Sequence, residues 1–154
     1  MLCQKVISGG QTGVDRGALD AALENNFPCG GWCPQGRQSQ DGKIDKKYPL
    51  REIPNGSYED RTRKNIEDSD GTLIIYEKEL TGGTLLTYEI AKSLNKPVFL
   101  LRDPAKTKDI DVSEIKSWIV FNHIIIMNVA GPRSGEWIDG YKISKQITGL
   151  LIAD

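Results

Sequence analysis

The sequence predicts an α/β fold, a Rossmann-like three-layer sandwich on a mostly parallel five-stranded sheet. Three observations carry this. Short β-prone apolar runs alternate with amphipathic helical runs along the whole chain, in the order βαβαβαβαβα. Such alternation implies parallel strands covered by helices on both faces. Glycine-rich turns follow the first and third strands, where this architecture binds ligands. The length, 154 residues, suits one domain spanning 1–154.

Residues 5–8 form the first strand, ending in Gly9-Gly10. A helix over 14–25 follows, with Val14, Ala18, Ala22 and Leu19, Leu23 at i, i+4 spacing on one stripe. Thr12 is its expected N-cap, with Asp15 three residues on as in a capping box. A second strand covers 29–33 and places Cys29 and Cys33 on one face. Residues 34–54 show little periodicity, and a long irregular loop in a compact domain is often functional. Asn55-Gly56 signals a turn, and Ser57 with Asp60 caps a helix running to about Asp68. GTLIIY at 71–76 is a strongly β-prone strand. After Thr81-Gly82-Gly83-Thr84 comes a helix over 84–94, then a strand over 98–101. A polar connection containing Pro104 covers 103–111. A helix near 112–120, a strand over 124–129, a loop over 131–135 and a helix over 137–152 complete the chain, with Ile143, Ile147, Leu150 and Leu151 facing inward.

Twenty basic residues nearly balance twenty-one acidic ones, for a net charge of −1. A nucleic-acid-binding surface usually shows a basic excess, so no nucleic-acid partner is expected. No apolar run approaches the ~20 residues of a membrane span. The chain starts directly on a strand-like segment, so neither signal peptide nor membrane is expected. Three cysteines, an odd number, point to a reducing cytoplasm and free thiols. Cys3, Cys29 and Cys33 read as buried structural thiols, because the chain's one histidine, His123, leaves a zinc set short of ligands. His123 itself reads as structural, and Trp32, Trp118 and Trp137 as core or interface residues.

Chemistry is expected at the two glycine loops, Ser8-Gly9-Gly10-Gln11-Thr12-Gly13 and Thr81-Gly82-Gly83-Thr84. Glycine lets the backbone approach a phosphate, and the free amides of a following helix point at the anion. Neither loop is a Walker P-loop or a GxGxxG fingerprint, so their joint placement carries the signal. Gln11 offers a donor and an acceptor to a heterocycle. Asp15 is either a helix-dipole residue or a ligand contact. Arg16 and Arg37 are guanidinium forks placed near the ligand edge, although Arg37 also reads as a solvated loop residue. Arg61 and Asn65 share one helix face, beside a face of Tyr58, Thr62 and Ile66 expected to pack on the sheet. Thr84 and Thr87 join the candidate ligand set, and Glu89 is the acid/base if the protein is an enzyme.

Ser8–Ala18, Gly31-Trp32-Cys33-Pro34-Gln35-Gly36-Arg37, Tyr48-Pro49-Leu50, Arg61-Thr62-Arg63-Lys64-Asn65, Ser69–Ile74 and Leu80-Thr81-Gly82-Gly83-Thr84 together resemble the putative molybdenum carrier family. The resemblance implies a Rossmann-like fold, homo-oligomers (dimers or tetramers) and the molybdenum cofactor, molybdopterin, as carried ligand. It implies no metal ligand from the protein. The wider superfamily includes the DNA-processing protein and the lysine-decarboxylase-like phosphoribohydrolases, whose PGGxGTxxE motif Gly82, Gly83 and Glu89 match in register. Thr81, Leu85 and Leu86 depart from that motif. The expected function is therefore a carrier of a phosphorylated pterin or nucleotide-like ligand without obvious catalysis. The alternatives are a nucleoside monophosphate phosphoribohydrolase and a nucleotide-sensing regulatory module.

Overall fold

The computed structural model describes residues 3–103 and 110–153. The main sheet has five strands: β1 (Lys5–Ile7), β2 (Cys29–Gly30), β7 (Gly71–Tyr76), β8 (Val98–Arg102) and β9 (Ile126–Ala130). Their spatial order is β2-β1-β9-β7-β8, and every pairing is parallel. If β9 were counted first, the order would read 3-2-1-4-5, that of a dinucleotide-binding sheet. The last strand thus occupies the centre, so the loop after it joins those after β1 and β7 at one edge.

Helices cover both faces. On one face, α1 (Val14–Glu24), α4 (Ser113–Phe121) and α5 (Gly140–Ile152) enclose a core of Val6, Leu73, Ile75, Met127 and Val129 from the sheet. On the other, Ile66 of α2 (Tyr58–Glu67) packs with Ile90 and Ala91 of α3 (Gly82–Ser93). The α2 cap forms as expected: Ser57 accepts from the Asp60 amide, and the Asp60 carboxylate accepts from the Ser57 amide. Asn55-Gly56 makes the expected turn, with Asn55 at φ 57°.

Several expectations are corrected. The N-cap of α1 is Gly13, at φ 85° and with no side-chain cap; the Thr12 hydroxyl instead donates to Gln40 Oε1 and accepts from the Ser134 amide. The expected strand 29–33 breaks at Gly31, whose φ is +130°. A side chain there would meet the Ser8 carbonyl oxygen at 2.0 Å, so only glycine passes. Beyond the break, β3 (Trp32–Pro34) pairs with β6 (Arg51–Ile53), so Cys29 and Cys33 do not share one strand. Leu150 is 40% exposed and does not join the inward face of α5, which starts at Gly140 with Trp137 buried in the turn before it. Tyr58, expected on the sheet, is 49% exposed, whereas Arg61 and Asn65 face inward. Pro104 and most of the expected polar connection lie outside the described residues.

The segment 34–54 is folded rather than irregular. It contains a 3-10 turn (Gln35–Arg37), a hairpin of β4 (Gln38–Ser39) and β5 (Gly42–Lys43), and β6. Arg37 organises it from inside. Its guanidinium donates to the carbonyls of Ile44, Leu50, Asp45 and Tyr48 at 3.1, 3.3, 2.7 and 3.0 Å. Arg16 ties the hairpin to α1, donating to Gly10 O, Ser39 Oγ and both Asp41 oxygens while lying over the Tyr48 ring. All three cysteines are free. Burial pushes the Cys3 thiol up to about 11 and raises Cys29 and Cys33, which keeps them protonated and unreactive at neutral pH.

Two expectations follow. Leu73→Ala deletes a fully buried side chain of β7 and should cost roughly 2–5 kcal/mol in urea unfolding. Hydrogen bonds from Arg16 and Ser39 hold the Asp41 carboxyl down at about 2 against an ordinary 3.8. Its contribution is therefore present above that ordinary value and lost as pH falls through about 2. Because the carboxylate is half exposed, Asp41→Asn should cost no more than roughly 1 kcal/mol at neutral pH. Urea curves of wild type and variant should converge at the acid end of that window.

Candidate functional site

A cavity of about 280 Å³ opens at the carboxyl ends of β1, β7 and β9. This is where an open α/β sheet receives ligands, because loops diverge at the point of strand-order reversal. Gly9, Gln11 and Asp15 come from the β1–α1 loop and the start of α1; Tyr58, Arg61, Thr62 and Asn65 from α2; and Gly82, Gly83, Leu86 and Thr87 from α3. The end of β9 and its loop supply Asn128, Val129, Ala130, Gly131, Arg133 and Glu136.

At the floor lies a buried ion pair. Arg61 Nη1 donates to Asp15 Oδ2 at 3.1 Å, with the side chains only 13% and 6% exposed. The guanidinium lies against Gly9, where a Cβ would fall 1.4 Å from Nη1. Glycine at position 9 is thus the space into which Arg61 fits. The Tyr58 ring lies 5.7 Å from the guanidinium carbon. Burial pushes the Asp15 carboxyl above its ordinary value, and Arg61, the Gln11 amide at 3.4 Å and Arg16 pull it back. Arg61 Nε is buried without a hydrogen-bond partner.

The two glycine loops differ in what their amides do. In the first, Gly10 N donates to Ser8 Oγ, Gln11 N to Asp15 Oδ2, Thr12 N to Gln11 Oε1 and Val14 N to Pro132 O. Those amides are spent inside the protein, whereas the amides of Gly9 and Gly13 find no acceptor among the described residues, so the expectation that this loop holds an anion by its backbone is left only to those two. In the second, Thr81 caps α3 without a side-chain bond, and the first helix-closing bond is from Leu85 N to Thr81 O. The amides of Gly82, Gly83 and Thr84 therefore find no acceptor among the described residues, and no acidic side chain sits in that first turn. Gly83 faces open space.

Of the expected ligand residues, the structure brings Gly9, Gln11, Asp15, Arg61, Asn65, Gly82, Gly83 and Thr87 to the cavity. Gln11 Oε1 is occupied by the Thr12 and Gln40 amides, which leaves its amide nitrogen as the cavity-side donor. Asn65 clamps the Trp32 backbone at both N–H and C=O, and Thr87 Oγ1 donates to Gly83 O. Gly10, Thr12, Gly13, Arg16, Arg37 and Thr84 do not line the cavity. The two arginines are consumed in the 34–54 segment, as described above. Glu89 is exposed on α3, also outside the lining. Sequence reasoning missed Asn128, Gly131, Arg133 and Glu136. The glycine-rich stretch 131–135 was visible, but only the central position of β9 brings it here. Among the described residues no group of three His, Cys, Asp or Glu side chains could hold a metal, and no helix is long and apolar enough to cross a membrane.

Comparison with known proteins agrees with this architecture. A crystal structure of a putative molybdenum carrier protein from Syntrophus aciditrophicus SB is similar, at 40% identity and a TM-score of 0.93, over 99% of this chain and 96% of that one. No curated protein matches. The model of the circularly permutated YpsA SLOG family matches residues 6–151, nearly the whole chain, and a sheet in which the last strand takes the first strand's place is what a permuted order means. The chain therefore belongs to the circularly permutated YpsA SLOG family.

Proposed function

We propose that this protein binds and carries a phosphate-bearing small molecule of the molybdopterin or nucleotide class, without chemistry of its own. The observation that carries the reading is the α3 N-terminus. Three backbone amides lack an acceptor there, two of them on glycines that line a cavity also reached by Arg61. A helix N-terminus favours an anion through its free N–H groups and its dipole. The Arg61 side chain, 13% exposed and lining the cavity, adds positive charge at its floor. Polar side chains of Gln11, Asn128 and Thr62 surround the rest of the space, which suits a ring with mixed donors and acceptors.

The donor set fits molybdopterin as cargo in two respects, the phosphate and the polar ring. The cavity supplies no cysteine or histidine, so a carried metal would stay on the cargo's own sulfur ligands. At about 280 Å³, the space takes a phosphate and one ring system, and a larger cargo extends through the mouth. The relative from Syntrophus, described as a putative molybdenum carrier protein, supports this class of ligand. The exposed position of Glu89 outside the cavity weighs against the phosphoribohydrolase alternative, which needs that carboxylate at the ligand.

Gly83→Leu tests the reading. A side chain there projects into open space, so unfolding free energy should change by no more than ~0.5 kcal/mol. Anaerobic calorimetry with released molybdenum cofactor and a panel of nucleoside monophosphates should show binding to wild type, weakened at least tenfold in the variant. Wild-type protein that binds none of them would overturn the proposal, as would a variant that binds equally well.

A further inference from the structure

The geometry points to Asp15 as the specificity-determining acceptor of the cavity, reading a hydroxyl or amino hydrogen on the phosphate-bearing ligand. The inference rests on the binding role proposed above and names what the ligand must carry besides phosphate. Arginine–carboxylate pairs are frequently joined by two parallel bonds. Here Arg61 and Asp15 meet through Nη1 and Oδ2 alone. The Arg61 Nε is buried without a partner, the Asp15 Oδ1 accepts no hydrogen bond among the described residues, and both residues line the cavity.

The charge of the lining points the same way. Arg61 and Arg133 are balanced by Asp15 and Glu136. A site evolved for phosphate alone would carry a positive excess, because each carboxylate repels the anion. A carboxylate retained beside the arginine is consistent with a ligand that presents a hydrogen-bond donor next to its anionic group. Of the two carboxylates, Glu136 is half exposed and turned towards Arg133 at 3.4 Å. Asp15 is buried, so a hydrogen bond missing there is costly, and analogues without the donor are rejected strongly.

The test is calorimetry with inorganic phosphate, guanosine monophosphate, its dideoxy analogue lacking both ribose hydroxyls, and inosine monophosphate, which lacks the ring amino group. Wild type should lose roughly tenfold to hundredfold affinity for one of the two analogues, as expected for a hydrogen bond to a charged group. Loss with the dideoxy compound identifies a sugar hydroxyl as the donor, and loss with inosine monophosphate identifies the ring amino group. In Asp15→Asn the one side-chain oxygen serves Arg61 and the amide faces the ligand donor, so the preference should vanish while phosphate still binds. Wild type that binds phosphate but treats all three nucleotides within twofold, or binds none of them, contradicts the role of Asp15 without needing the variant to fold. So does a folded variant that keeps the preference. Wild type that binds neither phosphate nor any nucleotide removes the phosphate-binding reading, and this inference with it.

Discussion

The site depends on one close approach. Arg61 reaches the cavity floor because residue 9 has no side chain, and it stays there because Asp15 accepts from it at 3.1 Å. Any larger residue at position 9 would displace the guanidinium and leave the Asp15 carboxylate buried and unpaired, which is among the more expensive arrangements a protein can hold. The pair also joins α1 to α2, elements that approach the sheet from opposite faces. Asn65, one turn further along α2, fixes that helix to β3 by bonding both backbone groups of Trp32.

The sheet order explains why separate parts of the chain meet at this floor. Parallel strands deliver all their following loops to one edge, and the reversal of order opens a crevice there. With β9 between β1 and β7, the crevice is bordered by residues near 9, 82 and 131. The permuted connectivity changes which loop is contributed last in the chain but not the set of loops that converge. One wall, the first glycine loop, is internally hydrogen bonded at Gly10, Gln11 and Thr12. The other, at the start of α3, keeps its amides available. The two glycine motifs look alike in sequence and differ in role.

Much of this was legible in the sequence because it depends on local rules. The run 71–76 became β7 with its expected bounds, and the Ser57–Asp60 cap formed, since each is decided by neighbouring residues. The fold class followed from the alternation of elements. Illegible features depend on contacts distant in sequence. Arg37 and Arg16 look like anion ligands from residue type and position, yet backbone carbonyls and Asp41 use up their donors. The segment 34–54 lacks periodicity because it is held by one arginine at its centre rather than by a repeating apolar face. Arg133 and Glu136 reach the cavity only through the position of β9, which no local pattern encodes.

The most direct measurement is a two-dimensional nitrogen–proton NMR titration of the wild-type protein with guanosine monophosphate, following backbone amides and the arginine Nε groups. A ligand held between the α3 N-terminus and the cavity floor should shift the Gly82, Gly83 and Thr84 amides and the Arg61 Nε resonance together, and leave the internally bonded Gly10 and Thr12 amides nearly unchanged. Shifts that cluster elsewhere, such as between α1 and α5, with the α3 amides unmoved, would contradict the account.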